Sequence, residues 1–431
     1  MKKVLIISYF YPPCNLTAAG RVASWVKYLP EHGIYPSVIT RSWTREIQSE
    51  IDVARTSGSH LHHKKDAKHE VYYIPYKANL RDRLLVKGKL RIFRKMLSLV
   101  EQVLQNFIIS VIPYYPLYKQ AKSLLKDEQY DAVIISGNPF QQFYFGYKLN
   151  KEFNIPWIAD YRDDWTTTEL DNKPSLLNRI IKKLETYSEK KWVSTAACIT
   201  SVSPHYANKI SKFTGIKGYA LYNGYNDAFK PNNNTISISN HKEMRMLYNG
   251  TLYASQDITV FAEGFNKACQ KLNDIGINLI MQFPGLAYKP DQAKRVELAF
   301  QRCEKHIQIT PRIPREKILR MQSEAHVLVM FSHKNIRGIP SSKMYEYLAF
   351  RKPILLSPGD DDILEVMINE SQSGIVCRSM NAVFNAILSL KEDYESKQIS
   401  NKFVFDYQQF ANSKQGEKLA KLIKSISHET I

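Results

Sequence analysis

The stretch Gly338–Ser357, GIPSSKMYEYLAFRKPILLS, reads as a helix that hands over directly to a strand. Two serines open the helical part, Met344 and Leu348 mark its apolar face, and Arg351, Lys352 and Pro353 close it before the apolar run ILL. Lys343 falls in the first turn, where the positive end of the helix dipole disfavours a cation. An i,i+3 pair with Glu346 puts the cation nearer the N-terminus, the less favourable order. A capping box with Glu346 needs Ser or Thr at the position that Lys343 itself occupies. A helix N-terminus joined by a lysine does suit a diphosphate, because backbone N–H groups and an ammonium converge on the same oxygens. A carboxylate one turn further on can accept hydrogen bonds from sugar hydroxyls.

The same strand-and-helix rhythm extends outward in both directions. In the first two-fifths, VLIISYF (Val4 to Phe10) leads to RVASWVKYLPEHG, where Val22, Trp25, Val26 and Leu29 repeat at helical spacing and Gly33 can end the helix. YPSVIT, DAVIIS, PWIADY and ACITSVS are further strands, with FQQFYFGYKLNKEF helical between two of them. After a polar, asparagine-rich interruption the rhythm resumes with MRMLYNGT, INLIMQFPG, HVLVMFS and KPILLS. This predicts an α/β protein of two doubly wound Rossmann-like domains facing across a cleft. The boundaries expected are 1–228 for an N-terminal domain and 229–243 for a linker. A second domain follows over 244–405, then a helical segment over 406–431 that can cross back to the first domain. A chain of 431 residues suits two cores.

Ligands of open parallel sheets bind beyond the carboxyl ends of the strands. YPPCNLTAAGR after the first strand offers Gly20 for close backbone approach and Arg21 for a phosphate. SGNPF carries Asn138. DYRDDW gathers Asp160, Arg162, Asp163 and Asp164, either as an Arg–Asp network that pins the loop or with one carboxylate, Asp163 in preference to Asp160, on an acceptor hydroxyl.

The net charge of +19, from 60 basic and 41 acidic residues, fits nucleic acid, an anionic membrane surface or phosphorylated small molecules. The stretch Arg81–Val100 mixes Arg91, Arg94, Lys95 and other cations with leucines and Phe93, as a basic amphipathic element for anionic headgroups does; a solvated helix face is the plainer alternative. Met96–Ile112 is too polar for a membrane span. MKKVLIISYFYPPC lacks a cleavage site and reads as a strand, not a leader. Five scattered cysteines suit reduced thiols in a cytoplasm. His60, His62, His63 and His69 lie in polar, irregular sequence that reads as a mobile loop, and no metal is assigned. No G-x-G-x-x-G motif, and no signature of a nucleic-acid-binding module, is present.

PSSKMYEYLAFRKPIL resembles the donor-binding region of retaining GT-B glycosyltransferases of the glycosyltransferase family 4 type. SYFYPP with AAGRVASWVKYLPEHGIYPSVIT resembles their opening strand, acceptor loop and first helix. DYRDDW resembles a D-x-R-D-x-W element of the polysaccharide-assembling members, and LYNGYN an N-G-[VY]-[DN] element ahead of the interdomain linker. The resemblance implies that Glu346 binds the donor ribose, with Ser342 and Gly338 at the donor; for the diphosphate charge Lys343 is the first choice, and Arg312, Arg315 and Arg337 are the reserves. Two departures stand out: Gly338 occupies the place of a glutamate that contacts the donor sugar, and Thr251 and Gln256 replace cations that grip the diphosphate.

The expected function is therefore transfer of a sugar from a nucleotide diphosphate sugar, UDP favoured, to a hydroxyl of a glycan or polyprenyl-linked acceptor. The resemblance implies retention of configuration and no essential metal or other cofactor, with Asp163 and Lys343 in catalysis. The setting expected is cytoplasmic, peripheral on the inner face of an anionic membrane, in cell-surface polysaccharide synthesis, with no nucleic acid as partner. The alternatives are a GT-B nucleotide-sugar epimerase and, in another class, a basic nucleic-acid-binding protein.

Overall fold

The computed structural model describes residues 1–44, 47, 50–168, 176–227, 242–334 and 336–427; nearly all of the expected 229–243 linker lies outside them. The chain divides into two compact units, Met1–Asn223 with Asn412–Ile431, and Gly224–Ala411.

Among the described residues the first unit is built on eight strands: β1 (Lys2–Ser8), β2 (Ile34–Arg41), β3 (His62–Lys65), β4 (Glu70–Ile74), β5 (Ala132–Gly137), β6 (Trp157–Tyr161), β7 (Cys198–Ser201) and β8 (Gly218–Ala220). Their order across the sheet is β3-β4-β2-β1-β5-β6-β7-β8. β1 is central because Val4, Leu5, Ile6 and Ile7 are apolar on both faces and fully buried; Ile6 pairs in parallel with Val38 on one side and Ile134 on the other. Only β3 runs antiparallel to its neighbour. This corrects the expectation of an irregular histidine loop: His62–Lys65 is an edge strand, exposed throughout, whose charges discourage further pairing. His63 stacks on Tyr72 and bonds Glu70, a carboxylate that Lys3 and Ser37 also hold and that lies well below its ordinary range.

The C-terminal helix Asn412–Ile426 belongs to this first unit. Leu419, Ala420, Ile423 and Ile426 share a core with Val22, Trp25, Val26 and Leu29 of the first helix and the turn that follows it. Gly416 permits the approach, since a Cβ there would stand 2.7 Å from Tyr28 Cβ, and Gln415 accepts from the Tyr222 N–H at 3.0 Å.

Among the described residues the second unit has six strands, all parallel: β9 (Glu243–Leu247), β10 (Asn278–Phe283), β11 (Ile307–Ile309), β12 (Val327–Met330), β13 (Ile354–Leu356) and β14 (Gly374–Val376). Their order, β11-β10-β9-β12-β13-β14, is that of a dinucleotide-binding sheet, which reverses between β9 and β12. Among the described residues no helix is long and apolar enough to cross a membrane.

Candidate functional site

In the second unit the loops beyond the carboxyl ends of the strands carry the unusual residues. Gly250 follows β9, Gly285 follows β10, Arg312 follows β11, and His333 and Gly338 follow β12. Gly250 and Gly285 have φ of +82° and +86°, and a Cβ on Gly285 would lie 3.8 Å from Gly250 Cα. Two left-handed glycines thus line one small surface without side chains.

The helix Ser342–Phe350 starts beside that surface. Ser341, its N-cap, is extended, and among the described residues no side chain caps the first turn. Met344, Tyr345, Tyr347 and Leu348 are buried and anchor the helix, which ends at Arg351 in the left-handed conformation before Pro353. Lys343 is held in this first turn. Its Nζ donates to the Thr251 carbonyl oxygen at 3.3 Å, lies 5.2 Å from the Tyr248 ring centre, and its Cε would be 3.6 Å from a Cβ on Gly250. Burial pushes the ammonium down to about 8, against a smaller opposing pull from Glu346. His333, which shares a hydrogen bond with Ser255 Oγ at 2.8 Å, is pushed down by burial and by the Lys343 charge.

Glu346 does not pair with Lys343. Its Oε2 accepts from Arg315 Nη2 at 2.6 Å, while its Oε1 is buried and, among the described residues, has no hydrogen-bond partner. A buried acceptor left open in this way is costly unless a ligand fills it. Arg315, one of the reserve cations, is therefore engaged with the carboxylate. Arg312 is exposed, its guanidinium 3.7 Å from the Tyr288 ring centre; Arg337 and Ser342 are exposed too.

Gly338 has φ of +81°, and its N–H donates to the Asp362 carboxylate in the loop after β13. A glutamate there would be strained. Gln256 is buried and structural: it accepts from the Tyr253 N–H at 3.0 Å and Tyr248 Oη at 3.1 Å, and donates to the Phe331 carbonyl at 2.7 Å. Tyr248, Gly250, Gly285, His333 and Asp362 were missed in the sequence reading. Only the isolated glycines after strands could have signalled them.

In the first unit the structure corrects two expectations. Arg21, expected to meet a phosphate, is buried on Asp160, with Nη2 to Oδ1 at 2.7 Å, and donates through Nη1 to the Leu221 carbonyl at 2.7 Å. Asp160 also accepts from Ser136 Oγ at 2.9 Å and Thr200 Oγ1 at 2.8 Å. This closed network ties the first helix to three strands and leaves neither residue facing a ligand. Arg162 bridges loops, donating to the Gly137 and Asn138 carbonyls at 2.6 Å each. The Asn138 side chain and Asp163 are exposed; among the described residues Asp163 has no hydrogen bond, whereas Asp164 is held by Lys209 at 3.0 Å. Gly20 lies on the exposed face of the first helix, with open space where a Cβ would be.

No family model matches the sequence, and no curated protein does. Solved structures match along the whole chain. The α,α-trehalose 6-phosphate synthase of Burkholderia multivorans is similar with a TM-score of 0.62 at 10% identity, covering 100% of each chain. A glycosyltransferase from Rickettsia africae gives 0.60 at 14% identity, covering 99% of this chain and 98% of the other. The HepE protein of Anabaena, solved in complex with UDP and glucose, gives 0.54 at 11% identity over 99% and 100%. At these identities the likeness is one of fold, and the fold is GT-B.

Proposed function

We propose that the protein is a retaining glycosyltransferase that moves a sugar from a nucleotide diphosphate sugar, UDP favoured, to a hydroxyl of a lipid-linked glycan in cell-surface polysaccharide synthesis. The observation that carries this is the pairing, on one short helix, of a half-buried first-turn lysine with a carboxylate whose Oε1 has no hydrogen-bond partner among the described residues. The diphosphate sits over Gly250 and Gly285 and takes the Lys343 charge together with the uncapped helix N-terminus. Glu346 Oε1 accepts from a ribose hydroxyl. As the bond to the sugar breaks, negative charge grows on the leaving diphosphate, and Lys343 stabilises it without reorganisation. No metal is needed for that step. Asp163 orients the acceptor hydroxyl. The names of the similar structures, a trehalose 6-phosphate synthase and a protein solved with UDP and glucose, support the same donor chemistry.

The helix Arg91–Leu104 supports a place on the inner face of an anionic membrane. None of its residues is fully buried, and Ile92, Met96 and Val100 are exposed next to Arg91 and Lys95.

A panel of UDP- and GDP-sugars in a thermal-shift assay tests the reading, since a ligand that binds only the native state raises its melting point. A rise with UDP-sugars that Glu346→Ala removes supports it. No rise with any nucleotide sugar sinks it.

A further inference from the structure

The loop after β9 is held more firmly than a surface loop need be. Arg295, on the helix Pro290–Ala299, grips it with both terminal nitrogens: Nη1 donates to the Ala254 carbonyl at 3.1 Å, and Nη2 to those of Tyr253 at 3.3 Å and Gln256 at 3.0 Å. The loop is also joined to the segment after β12. The Lys334 N–H donates to the Ser255 carbonyl at 2.7 Å, and Gln256 and His333 face each other as an antiparallel bridge.

This frame holds the His333 ring. Its Nδ1 shares a hydrogen bond with Ser255 Oγ at 2.8 Å, and the half-buried ring lies 5.8 Å from that of Tyr253. Among the described residues Nε2 has no hydrogen-bond partner. A partner fixed on one ring nitrogen sets both the tautomer and the direction of the other.

The charges around the ring are one-sided. The Lys343 ammonium, tied to the same loop at Thr251, acts on it, while the Arg295 fork is spent on the three carbonyls and Lys334 is exposed. Asp257 and Asp291 act on Arg295, and Glu346 has given one oxygen to Arg315. Burial and the Lys343 charge keep the imidazole neutral. Two basic groups thus meet at one loop with no anion to balance them, and an anion bound there would favour the charged form of both.

We propose that His333 is a second ligand of the leaving diphosphate beside Lys343: Nε2 donates to a phosphate oxygen, Ser255 orients the ring, and Arg295 positions the loop that carries Ser255. The inference rests on the reading of the second unit as the nucleotide diphosphate site, and it supplies the donor that Gln256, closed into the core, does not. When the Ser255 hydroxyl donates to Nδ1, the neutral ring carries its proton on Nε2. When the ring takes a proton from water, Nδ1 donates to Ser255 and Nε2 to the phosphate. The contribution of His333 to UDP affinity should therefore grow as pH falls toward the ordinary histidine value of about 6.5.

The test uses the full chain, titrated calorimetrically with UDP, and inorganic pyrophosphate as competitor. His333→Ala should weaken UDP binding roughly tenfold or more at neutral pH, as expected for a hydrogen bond to a charged group. The ratio of wild-type to variant affinity should rise as pH is lowered from about 7.5 to about 6, and the ionisation of UDP itself cancels in that ratio. His333→Gln, which keeps an N–H donor that cannot become charged, should recover part of the affinity without the pH-dependent gain. A merely structural role would lower the melting temperature and leave the ratio flat. Pyrophosphate, which has neither base nor ribose, should compete with UDP, and His333→Ala should weaken that competition too. Ser255→Ala serves if His333→Ala fails to fold: it frees the ring and should reduce both the affinity and its pH dependence. A ratio that stays flat with pH, or equal competition by pyrophosphate in wild type and His333→Ala, overturns the proposal. Wild-type UDP binding with unchanged affinity in the variants removes His333 alone and leaves the transferase reading. Failure of the wild type to bind any nucleoside diphosphate removes that reading, and the proposal with it.

Discussion

The Lys343 ammonium donates to the Thr251 carbonyl oxygen at 3.3 Å, so the first turn of one helix is tied to the loop after β9. In the family that the sequence resembles, cations stand in that loop; here the loop offers a carbonyl and the cation comes from the helix. Lys343→Ala should therefore lower turnover more than it raises the apparent donor constant. The loss expected is about 2–4 kcal/mol of transition-state stabilisation. Lys343→Arg should recover part of it, because the charge returns with a different reach. Steady-state kinetics with a competent acceptor check both, and wild-type turnover in Lys343→Ala would refute the role.

The same residue gives a pH signature. Burial depresses Lys343 to about 8 from an ordinary value of 10.5, so between those limits the unfolded chain binds more protons than the folded one. Its contribution to stability should rise with pH across that window. Denaturant titrations at several pH values should show this rise, and Lys343→Met should lose it. A bound diphosphate restores the ammonium, so UDP binding near the lower end of the window should take up a proton. Calorimetry in buffers of different ionisation enthalpy measures that uptake.

Glu346→Ala should weaken donor binding by about 1–3 kcal/mol, the usual range for a hydrogen bond to a charged group. The fold should hold, since Met344, Tyr347 and Leu348 anchor the helix from its other face. Apo stability should change little, because the variant loses the exposed Arg315 pair but also removes a buried acceptor without a partner. Titration calorimetry with UDP decides; unchanged affinity in a folded variant would take Glu346 out of the site.

Arg21→Met should behave quite differently. It leaves Asp160 charged and buried, at a cost of about 3–5 kcal/mol in stability, with no selective effect on donor affinity at temperatures where the protein stays folded. A variant of normal stability but impaired acceptor use would return Arg21 to a ligand-binding role.

Gly416→Val tests the return of the chain. The added side chain would collide with Tyr28, and overpacking of this kind costs about 1–3 kcal/mol. The loss should appear in the unfolding of the first unit, followed through tryptophan fluorescence, since all five tryptophans lie in that unit. An unaltered transition would mean that the two helices separate freely.

Much was legible without coordinates, for a local reason. A strand buried on both faces of a parallel sheet must be continuously apolar, so β1, β2, β5, β6, β7, β9, β10, β12 and β13 announce themselves in their own residues. The helix that carries Lys343 and Glu346 is equally local, because a misplaced charge in a first turn can be read from spacing alone. The short strands β8, β11 and β14 have three residues each, too few to show a period, and β3 is polar because it is an edge. Tertiary structure alone decided the rest. Arg21 meets Asp160 across 139 positions, Arg315 takes half of Glu346 across 31, and the basic helix closes a cavity with residues 177–181. Whether a charged side chain is paired or open depends on which distant partner the packed chain brings within reach, and burial then fixes what an open one costs.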